Sequence, residues 1–175
     1  MIKNILVTGN LGYIGSVLVP QLTKKYHVTG FDIGYFKDCN LQKIKKIKNF
    51  KQTFKDIRNI DKDDLKNIDC VVHLAALSND PLGQFNHKTT IDINYKGTKK
   101  LADMAKKNGV KKFIFISSQS IYGISKKAGL LDEYKSKKNP ITSYAKSKML
   151  SEKYLTKIKT KTFQVFFLRP STVFG

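Results

Sequence analysis

A chain of 175 residues, 41% of them hydrophobic, is long enough to bury one substantial core and short for two. Its formal charge of +20 invites a nucleic-acid or membrane partner, yet almost all of it is lysine scattered along every predicted helix, with Arg58 and Arg169 the sole guanidinium groups, a pattern that reads as solvated surface. Two cysteines, Cys39 and Cys70, make no disulfide framework, and no apolar run reaches membrane-spanning length.

Apolar runs of strand length stand near residues 3–8, 27–32, 50–54, 69–75, 112–117 and 163–168, several too continuous for a sheet with one wet face. Helical patterns lie between them near 13–25, 40–48, 87–108 and 142–159, with a short one near 61–67. Strands alternating with helices predict a doubly wound α/β domain, a parallel sheet with helices on both faces. The polar, glycine-bearing stretch 123–139 has the length of a functional or mobile loop. No internal repeat or linker divides the chain, and no basic, apolar, small-residue leader opens it, so the expected location is the cytoplasm.

The first motif follows Ile5-Leu6-Val7: Gly9, Asn10, Leu11, Gly12, Tyr13, Ile14 and Gly15 form a glycine-spaced turn between a strand and a helix. Backbone N–H groups at such a helix start hold a pyrophosphate, because orphan donors and the positive end of the macrodipole both favour an anion. The spacing G-x-x-G-x-x-G has one residue more in its first gap than the dinucleotide fingerprint, and the same glycines could serve only close helix packing. Asp32 at the end of the second strand decides between the two. A carboxylate there accepts hydrogen bonds from ribose hydroxyls and repels a 2′-phosphate, which predicts NAD over NADP. Asp56 and Ile57 after the third strand, and Leu74, Ala75 and Ala76 after the fourth, fall at the carboxyl ends where such sheets open a crevice.

The second motif is Tyr144-Ala145-Lys146-Ser147-Lys148, which puts a phenol and an ammonium one turn apart on a helix announced by Asn139-Pro140 and Thr142-Ser143. A phenol of pKa about 10 is a poor base at neutral pH unless a cation stabilises its anion. Lys148 supplies that cation, and Ser118, closing the fifth strand, can bond the same substrate oxygen. Taken alone the Tyr-Lys pair would be an ordinary solvated face; after a dinucleotide turn it reads as catalytic. His27, His73 and His87 lack metal-ligand spacing, and no metal is expected.

These residues resemble an extended short-chain dehydrogenase/reductase of the NAD-dependent epimerase/dehydratase family, the group of UDP-glucose 4-epimerase. The resemblance rests on Gly9 to Gly15, Asp32, Asp56-Ile57, His73 to Ala76, Asn94, Ser117-Ser118 before Tyr122-Gly123, Tyr144 with Lys148, and Leu168-Arg169-Pro170. It implies that Tyr144 is the acid/base, that Lys148 lowers its pKa and binds the nicotinamide ribose, that Ser118 orients a sugar hydroxyl, and that Asn94 supports Lys148 through hydrogen bonds. It implies a UDP- or dTDP-linked sugar as substrate and a homodimer through helices near 92–108 and 142–158, with neither nucleic acid nor membrane as partner. Family members that eliminate water or carbon dioxide carry acids just after the Ser118 position, where Gln119 and Ser120 stand here; epimerisation or ketone reduction is therefore expected over dehydration. Such members continue past the Arg-Pro motif into a substrate-gripping region, so residues 1–175 correspond to the Rossmann domain with the Ser, Tyr and Lys residues. A non-catalytic dinucleotide-binding module, or a nucleotide-sugar dehydratase, is the alternative.

Overall fold

Ile5 and Val7 point to one face of the first strand and Leu6 to the other, and all three are buried. A strand apolar on both faces needs cover on both, which a parallel sheet flanked by helices provides. The computed structural model describes residues 1–39, 47–78, 84, 86–124 and 130–174. Within them six strands, β1 (Asn4–Thr8), β2 (His27–Asp32), β3 (Phe50–Phe54), β4 (Cys70–His73), β5 (Lys112–Ile116) and β6 (Gln164–Leu168), lie in the order β3-β2-β1-β4-β5-β6, every pair parallel. The doubly wound architecture expected from the sequence is the one observed. The order reverses between β1 and β4, where Thr8 pairs with His73, and the crevice of such a sheet opens beyond that pair.

Helix α1 (Tyr13–Leu22) covers the face of Ile5, Val7, Val28, Cys70 and Val72. The opposite face, with Leu6, Phe31, Val71, Phe113 and Phe115, packs against Leu101, Ala102 and Ala105 of one helix and Leu155 of another. Those helices belong to two runs. Helix α2 (His87–Ile91) passes through a π-helical turn, Asp92–Lys96, into α3 (Gly97–Lys107), and α4 spans Ser143–Ile158. Tyr154 of α4 donates to Asp103 of α3 at 2.5 Å, with Lys99 over its ring.

The departures from expectation are local. The run near 69–75 stops pairing at His73, and Leu74 to Ala76 leave the sheet to line the crevice. The first helix ends at Leu22, three residues early, where the Thr23 hydroxyl donates to the Pro20 carbonyl. The element near 61–67 is one 3-10 turn, Asp63–Leu65. The helix expected near 40–48 falls on residues 40–46, outside those described, as does the middle of the 123–139 segment, residues 125–129.

Candidate active site

The groove at the β1/β4 switch point encloses about 390 Å³. Gly9, with φ of 70°, turns the chain out of β1 so closely beneath the fourth strand's exit that a Cβ there would lie 2.5 Å from the Ala75 nitrogen; only glycine fits both the angle and the approach. Helix α1 starts at Gly12 with no side-chain cap and no acid in its first turn, so its positive end faces the groove. By contrast, α4 is capped by the Thr142 hydroxyl, which accepts from the Ala145 N–H at 3.1 Å.

Most of the residues expected at the site meet there. Gly9, Gly12, Tyr13, Ile14, Gly15, Asp32, Asp56, Ile57, Leu74, Ala75, Ala76, Tyr144 and Lys148 all line the groove. Asn10, Leu11, Asn94 and Ser118 are not part of that lining. Asn10 is fully buried and donates from its amide to Gln52 on β3 at 2.7 Å, and Gly30 makes room for it, since a Cβ there would sit 2.5 Å from the Asn10 amide. Leu11 is a core side chain whose backbone N–H donates to Asp32 at 3.1 Å. Both residues therefore shape the turn from behind.

Asp32 also accepts from the Gly34 N–H at 2.8 Å, which fixes its carboxylate at the mouth of the groove. Asp56 caps the following 3-10 turn and is clasped by Arg58 at 2.7 Å. The guanidinium holds the Asp56 carboxyl below the ordinary carboxylate range.

Lys148 is buried, 3% exposed, beneath the groove. Its Nζ donates to the Ile116 carbonyl at 2.7 Å and lies 5.6 Å from the centre of the Tyr144 ring and 4.8 Å from that of Phe115. Burial pulls its pKa down to about 7, so at neutral pH the side chain is divided between its ammonium and its neutral amine form. Ser118 Oγ lies 2.8 Å from Ser120 Oγ and accepts from the Ser120 N–H at 3.1 Å. Gln119 and Ser120, the positions where an acid would serve elimination, begin the 3-10 turn Gln119–Tyr122.

Asn94 sits in the π-helical turn, a distortion that often marks functional positions, and it clamps the fourth strand's exit loop at two points. It accepts from the Leu77 N–H at 2.8 Å and donates to the Leu77 carbonyl at 3.1 Å. It also donates to Ser147 Oγ at 3.2 Å, and Ser147 in turn donates to the Tyr144 carbonyl at 2.6 Å. The Asn94 side chain thus joins the loop to α4, whereas Lys148 donates to the Ile116 carbonyl.

Two groups were given no role by the sequence reading. His73 is buried between Thr8 and Thr98. The Thr98 hydroxyl donates to the Asn94 carbonyl at 2.5 Å and so accepts from His73 Nε2–H at 2.7 Å. That leaves Nδ1 to accept from the Thr8 hydroxyl at 2.6 Å, and Thr8 to accept the Ala75 N–H at 3.4 Å. Burial, with the Lys148 charge adding, pushes His73 down to about 3, and the ring stays neutral. The second group is Glu152, one turn beyond Lys148 and 2% exposed. Arg169 grips it through two bonds of 2.8 and 2.9 Å, and Lys138 donates at 2.6 Å. Burial alone would raise this carboxyl; the Arg169 and Lys138 hydrogen bonds outweigh it and hold it low. Arg169 also donates to the Tyr122 hydroxyl at 2.8 Å. The sequence signals were the His73 to Ala76 and Leu168-Arg169-Pro170 motifs and the Tyr144, Lys148, Glu152 spacing of four.

Comparison with known proteins agrees with this geometry. The profile of the NAD dependent epimerase/dehydratase family matches residues 5–175. UDP-glucose 4-epimerase of Vibrio cholerae is 32% identical over 192 residues, an alignment that takes in 100% of this chain and 53% of the relative. dTDP-D-glucose 4,6-dehydratase of Mus musculus is 30% identical, with 99% and 51% covered. Among solved structures, UDP-glucuronic acid 4-epimerase from Bacillus cereus in complex with NAD superposes with a TM-score of 0.88 at 32% identity, covering 99% of this chain and 57% of that one. The chain spans about half the length of the curated relatives it matches. With its glycine turn, Asp32 and the Tyr144-Lys148 pair gathered at one switch point, the chain belongs to the NAD-dependent epimerase/dehydratase family.

Proposed function

We propose that this chain is the cofactor-binding and proton-transferring half of an NAD-dependent nucleotide-sugar epimerase or ketoreductase, acting on a UDP- or dTDP-linked sugar and paired as a homodimer through α3 and α4. The observation that carries the reading is the convergence of an uncapped helix start, Asp32 and the Tyr144-Lys148 pair in one groove. The groove fits NAD: Gly9 leaves the backbone bare where a side chain would collide with Ala75, and Asp32 stands where ribose hydroxyls donate. The N–H groups of the glycine turn hold the pyrophosphate, and Leu74 to Ala76 form the floor. When bound, the cofactor supplies a hydride acceptor and donor.

Tyr144 takes the proton of a sugar hydroxyl and returns it. Lys148, beneath its ring, stabilises the phenolate, and the Ser118 hydroxyl orients the sugar oxygen. The absence of acids at Gln119 and Ser120 favours this chemistry over elimination, although relatives include dehydratases.

Titration calorimetry with NAD and NADP on the 175-residue chain, whose mass in solution is measured alongside, is expected to show binding with NAD preferred. Coupled turnover assays on UDP- and dTDP-sugars then compare this chain with a form continued through a family substrate region, with and without Tyr144→Phe. Turnover is expected only in the continued form, and Tyr144→Phe, which removes the transferable proton, should lower it by at least about a hundredfold. An NADP preference would overturn the role of Asp32, and undiminished turnover with phenylalanine would overturn that of Tyr144.

A further inference from the structure

One edge of the sheet brings together lysines from distant parts of the chain. Because all six strands are parallel, each helix returns the chain to the same edge of the sheet, the one where the strands begin. The contacts at that edge confirm it: the His27 N–H donates to the Lys3 carbonyl, the Lys111 N–H to Asp69 and the Gln164 N–H to Lys111, each at 2.9 Å. Lys106 at the end of α3 donates from Nζ to the Ile158 carbonyl at the end of α4, at 2.8 Å. Lys24 and Lys25 after α1, Lys106 and Lys107 closing α3, Lys111 before β5 and Lys159 after α4 therefore share one exposed face. Asp69 on this edge is taken up by the backbone N–H groups of Lys3 and Asn4 and by Lys111, and Asp103, one turn before Lys107, by the Tyr154 hydroxyl. The carboxylates Asp32, Asp56, Asp92, Asp132 and Glu152, and both arginines, belong to the opposite edge.

We propose that this amino edge docks the protein on an anionic phospholipid surface. Three features of the face select that partner. Its cations are ammonium groups and not guanidinium groups, so the bidentate readout of a nucleic-acid site is missing among the described residues. It is a broad edge, about 25 Å across for six strands, and lysine ends spread along it suit a bilayer surface. A cleft of about 410 Å³ opens in it between the starts of β1, β2 and β3, walled by His27, Lys51 and Lys66 and by the amides of Asn49 and Asn67, which gives a phosphate headgroup a seat. The orientation is also compatible with the groove, which faces away from the docked edge. No helix of the described residues is long and apolar enough to cross a membrane; attachment is at the surface.

The test is sedimentation with vesicles of phosphatidylcholine alone or mixed two to one with phosphatidylglycerol, at low and high salt. Two triple variants remove the same charge from different edges: Lys25→Gln, Lys107→Gln and Lys159→Gln on the docking face, and Lys88→Gln, Lys135→Gln and Lys137→Gln on the other. The unmodified chain is expected to bind only the phosphatidylglycerol vesicles and to leave them at high salt. The first triple should lower partitioning by at least about tenfold and the second by no more than about twofold. Equal losses in both triples, or no binding to phosphatidylglycerol vesicles, would overturn the proposal. So would random duplex DNA displacing the chain from vesicles at equal phosphate, which would assign the face to nucleic acid.

Discussion

Lys148 is a buried amine whose surroundings supply a carbonyl and two ring faces but no carboxylate bond. Its pKa of about 7, against 10.5 for a free side chain, bears on stability. Between pH 7 and 10.5 the unfolded chain binds this proton and the folded chain does not, so stability rises with pH across that window by as much as about 1.4 kcal/mol per unit. Cys70, pushed up to about 11 by burial, has the opposite sign above pH 9, which limits the useful range to pH 7 to 9. Lys148→Met, which keeps the stem and loses the charge, is expected to flatten the rise. Urea midpoints at closely spaced pH values check this, and a slope in the methionine variant equal to that of the parent would mean Lys148 is charged throughout.

At the scale of elements, α4 presents Tyr144, Lys148 and Glu152 on successive turns, and the third ties down everything around the first two. Arg169 after β6, Lys138 before α4 and Tyr122 after β5 converge on or beside Glu152. Removing one partner from a buried pair costs about 3 to 5 kcal/mol when the other charge is left uncompensated. Arg169→Met leaves Glu152 with Lys138 and should therefore destabilise by less than that, and Arg169→Met with Glu152→Met should recover most of the loss, because two apolar side chains replace two buried charges. Urea unfolding of the single and double variants decides; a double variant as weak as the single would mean that the cluster acts through packing alone. This network also marks where the sequence ceased to be legible. Apolar runs disclosed all six strands, and the glycine turn, Asp32 and the Tyr-Lys pair disclosed the groove, because each signal is contained in a few neighbouring residues. The His73 relay joins Thr8 to a histidine 65 positions away, and Glu152 meets Arg169 across 17. Such pairings exist only once the topology is set, as does the gathering of lysines at the amino edge.

The whole molecule is two three-stranded halves, β3-β2-β1 and β4-β5-β6, meeting at the Thr8–His73 pair. The groove draws on both. Gly9, Asp32 and the start of α1 come from the first, while Ala75, Tyr144 and Lys148 come from the second. A ligand that spans it stabilises the native state by about 2.7 kcal/mol when present at a hundred times its dissociation constant, and here that gain is shared across the seam. On the NAD reading, adding the cofactor is expected to raise the urea midpoint in one transition and to slow amide hydrogen exchange both in the Gly9–Gly15 turn and around Ile116 and Lys148. Gly9→Ala is the control. Its methyl would lie 2.5 Å from the Ala75 nitrogen, at a φ of 70° that alanine resists, so it should abolish the NAD-induced protection in both halves. Protection confined to the β1 side would mean that the ligand rests on the glycine turn without reaching Tyr144, and the groove would then be a binding site for the adenosine end alone.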